Sequence, residues 1–152
     1  MKIWVDIKNS HEPLFFKSLN VELKSHDFTY TCRNFAEIVP LLKKYNFDFK
    51  IIGDRPEGDR FKRNIGFAWR VFQLLTRISD YDVALSHMSI WSIYASKFRN
   101  KKNIVFGDND INHDLNKKML RFVDYFFAPK SIPPQKIFKD NLSEKSLIQF
   151  NG

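Results

Sequence analysis

The chain lacks the features that mark secreted and membrane-spanning proteins. Its 152 residues include a single cysteine, Cys32, so no disulfide can form within the chain. It has no apolar run of about eighteen residues, and no apolar signal region precedes a small-residue cleavage site near its N-terminus. We therefore expect a cytoplasmic protein. We interpret Cys32 as a buried, inert thiol because it lies in a strand-like run.

Nucleotide- and metal-binding signatures are missing as well. The sequence has neither a phosphate-binding P-loop nor a Gly-x-Gly-x-x-Gly fingerprint. It has no internal repeat and no low-complexity tract. Its four histidines, His11, His26, His87 and His113, do not have the spacing of a zinc site. We therefore predict no metal site in this chain.

Apolar and basic residues, in contrast, are abundant. Hydrophobic residues make up 43% of the chain and aromatic residues 16%, which predicts one domain over residues 1–152 with a single sizeable core. Lys and Arg number 25 against 17 Asp and Glu, for a formal charge of +8. This excess favours an anionic partner, which could be a nucleotide, a phosphorylated sugar, a membrane surface or nucleic acid. The charge alone does not choose among them.

Strand and helix patterns alternate along the chain with short connections, which predicts βαβ units and a parallel sheet. The predicted strands are residues 2–7, 28–32, 48–52, 81–86, 103–106, 125–128 and 146–150. The predicted helices are residues 13–25, 34–44 with Asn34 as N-cap, 59–79, 90–98, 111–122 and 135–141. We predict a Rossmann-like three-layer α/β domain with a mainly parallel sheet of about six or seven strands.

The long third helix has a strong apolar periodicity. Its predicted buried face comprises Phe61, Ile65, Ala68, Phe72 and Leu75, widened by Trp69, Leu74 and Ile78. Arg63, Arg70 and Arg77 repeat every seventh residue and predict a basic stripe on the opposite side. The stripe is either the solvated outer face of a crossover helix or a contact for lipid headgroups or an acidic partner.

In an open α/β sheet, ligands bind outside the carboxyl ends of the strands, where the N-termini of the helices present unpaired N–H groups. Three polar loops follow predicted strands, and we expect them to line one cleft. They contain Asn9, Ser10, His11 and Glu12; then Ser86, His87 and Ser89; then Asp108, Asn109 and Asp110.

Several short motifs, in the same order, resemble domain-of-unknown-function family 354. They are Lys2–Ile7 with Asn9 and Phe15-Phe16-Lys17, then Ser86-His87-Met88-Ser89, Phe106-Gly107-Asp108, Ser131-Ile132-Pro133 and Asn151-Gly152. The sequence departs from the family at Ser10–Leu14, where prolines and further histidines are usual. It also departs at Asp54–Glu57, where a glycine-rich segment is usual.

This family resembles GT-B glycosyltransferases and UDP-N-acetylglucosamine 2-epimerases, which have two Rossmann-like domains around a cleft. The resemblance covers the N-terminal, acceptor-side domain and implies that the C-terminal donor domain is absent from this chain. It implies an acceptor- or sugar-binding domain acting in glycan or glycoconjugate biosynthesis, by transfer or by epimerisation. Such a domain is not expected to be catalytic alone or to bind a cofactor, because both substrates must be held in register. The complete protein would use a nucleotide-sugar donor, a sugar or glycan acceptor, and a second GT-B domain or partner chain.

The resemblance also implies roles for the loop residues. His11 lies where many GT-B enzymes carry a general base, and Asp108 or Asp110 could orient it. Ser89 and the following helix N-terminus could hold a phosphate or sugar hydroxyl, with His87 donating a hydrogen bond. The remaining expected ligand contacts are Asn9, Ser10, Glu12, Ser86 and Asn109.

Simpler interpretations stay open for each of these residues. His11 could be a surface residue in a capping turn, and Ser89 could be only an N-cap. Asp108 and Asp110 could share a metal ion with a diphosphate, but turn formation and helix capping explain the same residues, and GT-B enzymes generally work without a bound metal.

A non-catalytic module is the alternative to a transferase half. It would dock on a partner chain or on an anionic surface at the inner face of a membrane. Nucleic-acid binding is suggested by charge alone, and we do not expect it.

Overall fold

The structure of the protein, a computed structural model, describes residues 1–54, 58–108, 119–138 and 142–151. Its strands are β1 (Lys2–Ile7), β2 (Asp27–Asn34), β3 (Phe49–Asp54), β4 (Val83–His87), β5 (Lys102–Phe106), β6 (Tyr125–Pro129) and β7 (Leu147–Phe150). Its α-helices are α1 (Glu12–Glu22), α2 (Ile38–Lys44), α3 (Arg60–Arg77), α4 (Ile90–Phe98) and α5 (Pro134–Phe138). Short 3₁₀ helices span Leu120–Phe122 and Glu144–Ser146.

All seven strands join one parallel sheet in the order β3-β2-β1-β4-β5-β6-β7. The chain starts in the middle of the sheet, adds β2 and β3 on one side, and then crosses to build the other side from β4 to β7. The predicted Rossmann-like α/β fold is confirmed, and the sheet is parallel throughout.

The central strand β1 contributes to both faces of the sheet. Ile3, Val5 and Ile7 pack with Phe16 of α1 and Leu42 of α2. The alternate residue Trp4 faces the other way, into a cluster with Leu74 and Ile78 at the end of α3 and Ala95 of α4. Because successive strand residues point to opposite faces, Asp6 also faces the side of the sheet that α3 and α4 cover.

The boundaries of α2 differ from the prediction. Asn34 does not cap this helix, because β2 runs through Asn34 and α2 begins only at Ile38. Between the strand and the helix, Ala36 adopts a left-handed backbone conformation with φ of 48°, which belongs to neither a strand nor an α-helix. Most of the predicted helix at 111–122, and residues 139–141 of the predicted 135–141 helix, lie outside the described residues.

The predicted buried face of α3 is wrong for most of its residues, although Leu74 and Ile78 are buried as predicted. Asp59 caps the helix as expected, since its Oδ1 accepts from the backbone N–H of Lys62 at 2.9 Å. The helix, however, buries Arg70, Val71 and Leu74 against the sheet. Its outer side carries most of the residues predicted to be buried, namely Phe61, Ile65, Ala68, Trp69 and Phe72. The rotation places Arg70 opposite Asp6, so an ion pair decides which side of the helix faces inward.

Within the described residues, no helix is both long enough and apolar enough to cross a membrane.

Candidate functional site at the carboxyl edge of the sheet

Three neighbouring strands bring His11, His87 and Asp108 together. His11 lies in the loop after β1, His87 is the last residue of β4, and Asp108 lies two residues beyond β5. The His11 and His87 rings meet edge to face with centroids 5.2 Å apart. Nε2 of His87 lies 3.6 Å from Oδ2 of Asp108. The carboxyl ends of β1, β4 and β5 therefore form one cluster of titratable groups, which we call the histidine cluster.

The environment of His87 favours its neutral form. Burial lowers the pKa of the His87 imidazole below its ordinary value, and the positive charges of His11 and Lys8 lower it further. The Asp108 carboxylate acts in the opposite direction but does not reverse the shift. A neutral imidazole has one donor and one acceptor nitrogen, so His87 can form a hydrogen bond of either kind at neutral pH.

A cavity of about 310 Å³ opens beside the histidine cluster. Phe15 of α1 and Phe106 of β5 form part of its wall, with their ring centroids 4.9 Å apart. Pro129 and Phe150, at the ends of β6 and β7, complete it. The cavity surface is therefore almost entirely apolar, and His11, His87 and Asp108 are among the residues that line it. Sites for small molecules are typically apolar with a few polar groups.

A larger cleft, of about 550 Å³, opens at the opposite edge of the sheet. Its lining residues include Phe28 at the start of β2 and Phe47 just before β3. These are the amino ends of the strands, whereas open parallel sheets bind ligands at the carboxyl ends. The smaller cavity is therefore the better candidate site.

Glu12, which was predicted to contact a ligand, is instead buried beneath the loop after β1 and forms hydrogen bonds to residues of that loop. Its side chain is fully buried, and its two carboxylate oxygens accept from the backbone N–H of Lys8 at 2.8 Å and from Nδ2 of Asn9 at 3.0 Å. Burial raises the pKa of Glu12 to about 8. The amide of Asn9 is therefore engaged with Glu12, while Ser10 and His11 at the tip of the loop are exposed.

The two predicted serine contacts are also directed inward. Ser89 is fully buried, and its hydroxyl donates to Oδ2 of Asp6 at 2.6 Å instead of pointing at the cavity. Ser86 lies within β4 and is buried. Both serines are buried, which does not favour the predicted contacts with a ligand. Asn109 and Asp110 lie outside the described residues.

Arg70 forms a buried ion pair and is not part of a surface stripe. Its Nη1 and Nη2 donate to the two oxygens of Asp6 at 3.2 and 2.8 Å, and its Nε donates to the carbonyl of Ile52 at 3.0 Å. Asp6 also accepts from the hydroxyl of Thr31 at 2.8 Å. The predicted basic surface of Arg63, Arg70 and Arg77 is therefore wrong at its centre, while Arg63 and Arg77 are exposed.

An arginine and a tryptophan that the sequence analysis did not single out also lie near this edge. The guanidinium of Arg33, near the end of β2, stacks 4.4 Å from the centroid of Trp91 in the first turn of α4. Arg70 stacks on the same ring at 4.7 Å. A sequence signal did exist, because Arg33 is the one basic residue of β2 and lies immediately before its last residue.

The histidine cluster contains the residues that could hold a metal ion. One ligand atom each from His11, His87 and Asp108 lie within 4.8 Å of one another. Spacing along the chain could not reveal this set, because its members come from three separate strands. The ammonium of Lys8 adds positive charge at the same place, which opposes the binding of a cation.

The full length of the sequence matches one known family. The profile described as "Protein of unknown function (DUF354)" aligns with residues 1–152. The chain belongs to the DUF354 family. Among curated proteins, no sequence matches this DUF354 chain.

Solved structures that match this fold include GT-B glycosyltransferases and a putative UDP-N-acetylglucosamine 2-epimerase. MurG of Acinetobacter baumannii superposes with a TM-score of 0.73 at 11% identity, over 100% of the DUF354 chain and 45% of MurG. HepE of Anabaena, solved in complex with UDP-glucose, gives 0.74 at 8% identity, over 99% and 43% of the two chains. A putative UDP-N-acetylglucosamine 2-epimerase from Listeria monocytogenes gives 0.68 at 11% identity, over 97% and 44%.

The DUF354 chain thus spans less than half the length of the structures it matches. At these identities the likeness shows the fold, which is that of a GT-B N-terminal domain.

Proposed function

We propose that this DUF354 chain is the acceptor- or sugar-binding half of a GT-B glycosyltransferase-like protein that acts in glycan or glycoconjugate biosynthesis. The observation that carries the proposal is the histidine cluster beside the aromatic-walled cavity, at the edge of the sheet where open α/β folds bind ligands. The shared fold with HepE and MurG supports the assignment to nucleotide-sugar chemistry.

The cavity would bind the acceptor sugar. Phe15 and Phe106 present rings against which the apolar face of a sugar can pack, and His87 offers a hydrogen bond to one of its hydroxyls. His11 is exposed, as Asp108 is, so its imidazole can reach a bound hydroxyl without displacing other side chains.

His11 would act as the general base. Its imidazole accepts the proton of the acceptor hydroxyl as the oxygen attacks the anomeric carbon of the donor, and the nucleoside diphosphate leaves with the bonding electrons. The carboxylate of Asp108, within 4.8 Å of a nitrogen of His11, stabilises the imidazolium that results. The donor would be held by a second domain or a partner chain, so this chain alone would bind sugar without turning it over.

The test uses the full-length protein and measures release of UDP from UDP-glucose and UDP-N-acetylglucosamine with a panel of sugar acceptors. We expect His11→Gln to lower kcat by roughly 10²- to 10⁴-fold, because it removes the base. Asp108→Asn should lower kcat by a smaller factor. His26→Gln is the matched control, since His26 lies in the turn between α1 and β2, at the opposite edge of the sheet.

Binding is tested separately by amide chemical shifts of the DUF354 chain titrated with the same acceptor sugars. Shifts confined to the histidine cluster and the cavity wall would support an acceptor site. The proposal is refuted if His11→Gln turns over as fast as the His26→Gln control. It is refuted equally if neither turnover nor shifts at this edge are found.

A further inference from the structure

The outer side of α3 carries a continuous apolar stripe. The stripe consists of Phe61, Ile65, Ala68, Trp69 and Phe72. Its four large side chains are each more than half exposed: Phe61 72%, Ile65 55%, Trp69 56% and Phe72 52%. Their spacing places them on one side of the helix. The rings of Trp69 and Phe72 stack with centroids 5.5 Å apart. Single exposed apolar side chains are ordinary, but a contiguous row of four marks an interaction surface.

The same helix carries charge of one sign. Arg60, Lys62, Arg63 and Arg77 are exposed, and no acidic residue occurs between Arg60 and Arg77. The fifth cation of α3, Arg70, is neutralised inside the protein by Asp6. The exposed side of α3 therefore presents aromatic and aliphatic side chains with Arg60 and Lys62 beside them. Arg63 and Arg77, each seven residues from Arg70, lie on the side of the helix away from the stripe.

We infer that the outer stripe of α3 docks on an anionic phospholipid surface, with the helix lying in the plane of the interface. Amphipathic helices that bind in this way combine Trp, Phe and Ile on one side with Lys and Arg beside them. The cations attract the anionic headgroups while the apolar side chains enter the acyl boundary. The inference is independent of catalysis, because it uses no residue of the histidine cluster.

The charge pattern distinguishes this partner from other occupants. In a dimer formed through the stripe, two copies of α3 would pack together, each with exposed cations and no acidic residue between Arg60 and Arg77, which is unfavourable. A polyanion such as nucleic acid would use the cations but would leave the apolar stripe in water. An anionic bilayer satisfies both parts of the surface.

The topology gives such docking a functional geometry. The helix is about 27 Å long, and its first residues follow the carboxyl end of β3. The N-terminal end of α3 therefore lies at the same edge of the sheet as the aromatic-walled cavity. A domain attached through α3 would hold that cavity close to the membrane surface.

The test is co-sedimentation of the full-length protein with vesicles of phosphatidylcholine alone and with one quarter phosphatidylglycerol. We expect binding to the mixed vesicles only, weakening as salt is added. Replacing Arg60 and Lys62, the cations beside the stripe, by Gln should weaken partition by about fivefold for each cation. Trp69→Ser with Phe72→Ser should weaken it by about tenfold or more. These residues are exposed, so the variants should retain the wild-type far-ultraviolet circular dichroism.

Matched controls are available on the other face of the sheet. Val21→Ser, at an exposed position of α1, controls for loss of apolar surface. The charge control replaces two other exposed lysines by Gln, Lys24 and Lys43. Both controls should bind like the wild type. Equal losses in the two charge variants would refute docking through α3 and leave only non-specific attraction.

Trp69 provides a second readout, because Trp4 is fully buried and Trp91 is half-buried. Tryptophan emission should shift to the blue on adding mixed vesicles, and Trp69→Phe should abolish the shift. Without vesicles, acrylamide should quench Trp69. Protection of Trp69 in the absence of vesicles would show that protein already covers the stripe, and it would overturn the inference.

Discussion

Replacing Arg70 with methionine should remove a large part of the stability of this protein. The substitution keeps most of the side-chain volume but, among the residues that the structure describes, leaves the fully buried Asp6 carboxylate with the side-chain hydroxyls of Thr31 and Ser89 as its donors. It also leaves the carbonyl of Ile52 without the Arg70 Nε–H. Breaking a buried ion pair by removing one partner costs about 3–5 kcal/mol, a large share of the roughly 5–15 kcal/mol that stabilises a typical domain.

The assay is urea and thermal unfolding followed by circular dichroism. A loss of this size should lower the Tm by about 6–20 °C for a chain of this length. Arg63→Met and Arg77→Met are matched controls, because they remove exposed arginines from the same helix and should change the Tm little. A double-mutant cycle of Arg70→Met with Asp6→Asn should show a coupling energy above about 1 kcal/mol. An Arg70→Met variant as stable as the Arg63→Met control would refute the reasoning.

Two further predictions concern the loops of the candidate site. Because burial raises the pKa of Glu12 to about 8, the folded protein holds a proton there that the unfolded chain has released above about pH 4.5. Glu12 should therefore make the free energy of unfolding fall as pH rises between about 4.5 and 8, by at most about 1.4 kcal/mol per pH unit. Glu12→Gln should remove that contribution in pH-dependent urea unfolding; identical slopes would contradict it. At Gly107, an added Cβ would lie 2.3 Å from Cζ of Phe126, so Gly107→Ala should destabilise by about 1–3 kcal/mol. Adding Phe126→Leu should recover part of the loss, and a neutral Gly107→Ala would show that the close approach is absent.

The fold and the position of the site could be predicted because both depend on chain order. Apolar runs alternate with amphipathic ones, which indicates parallel β–α units. In such a sheet, the loops after β1, β4 and β5 must emerge at one edge. His11, His87 and Asp108 could therefore be placed near one another without knowing their distances.

Contacts between distant segments could not be predicted in the same way. The periodicity of α3 shows that it has an apolar side, but not whether that side faces the sheet or the solvent. Arg70 lies on the side of α3 that faces the sheet, where it pairs with the buried Asp6. The sequence does not distinguish such a buried, paired arginine from an exposed one. The buried positions of Glu12 and Ser89 could not be predicted for a similar reason, since polar residues in loops resemble ligand contacts until their internal partners are known.

The partners of Asp6 lie far along the chain, and this has a consequence for the order of events during synthesis. The first strand is central and pairs with both β2 and β4, while Asp6 receives its hydrogen bonds from Thr31, Arg70 and Ser89. At 5–20 residues per second, the ribosome needs roughly 4–16 s to travel from Asp6 to Ser89. For that interval the most buried strand of the protein carries a carboxylate without its full set of partners. Asp6 can therefore complete its set of hydrogen bonds only after Ser89, at the start of α4, has been synthesised.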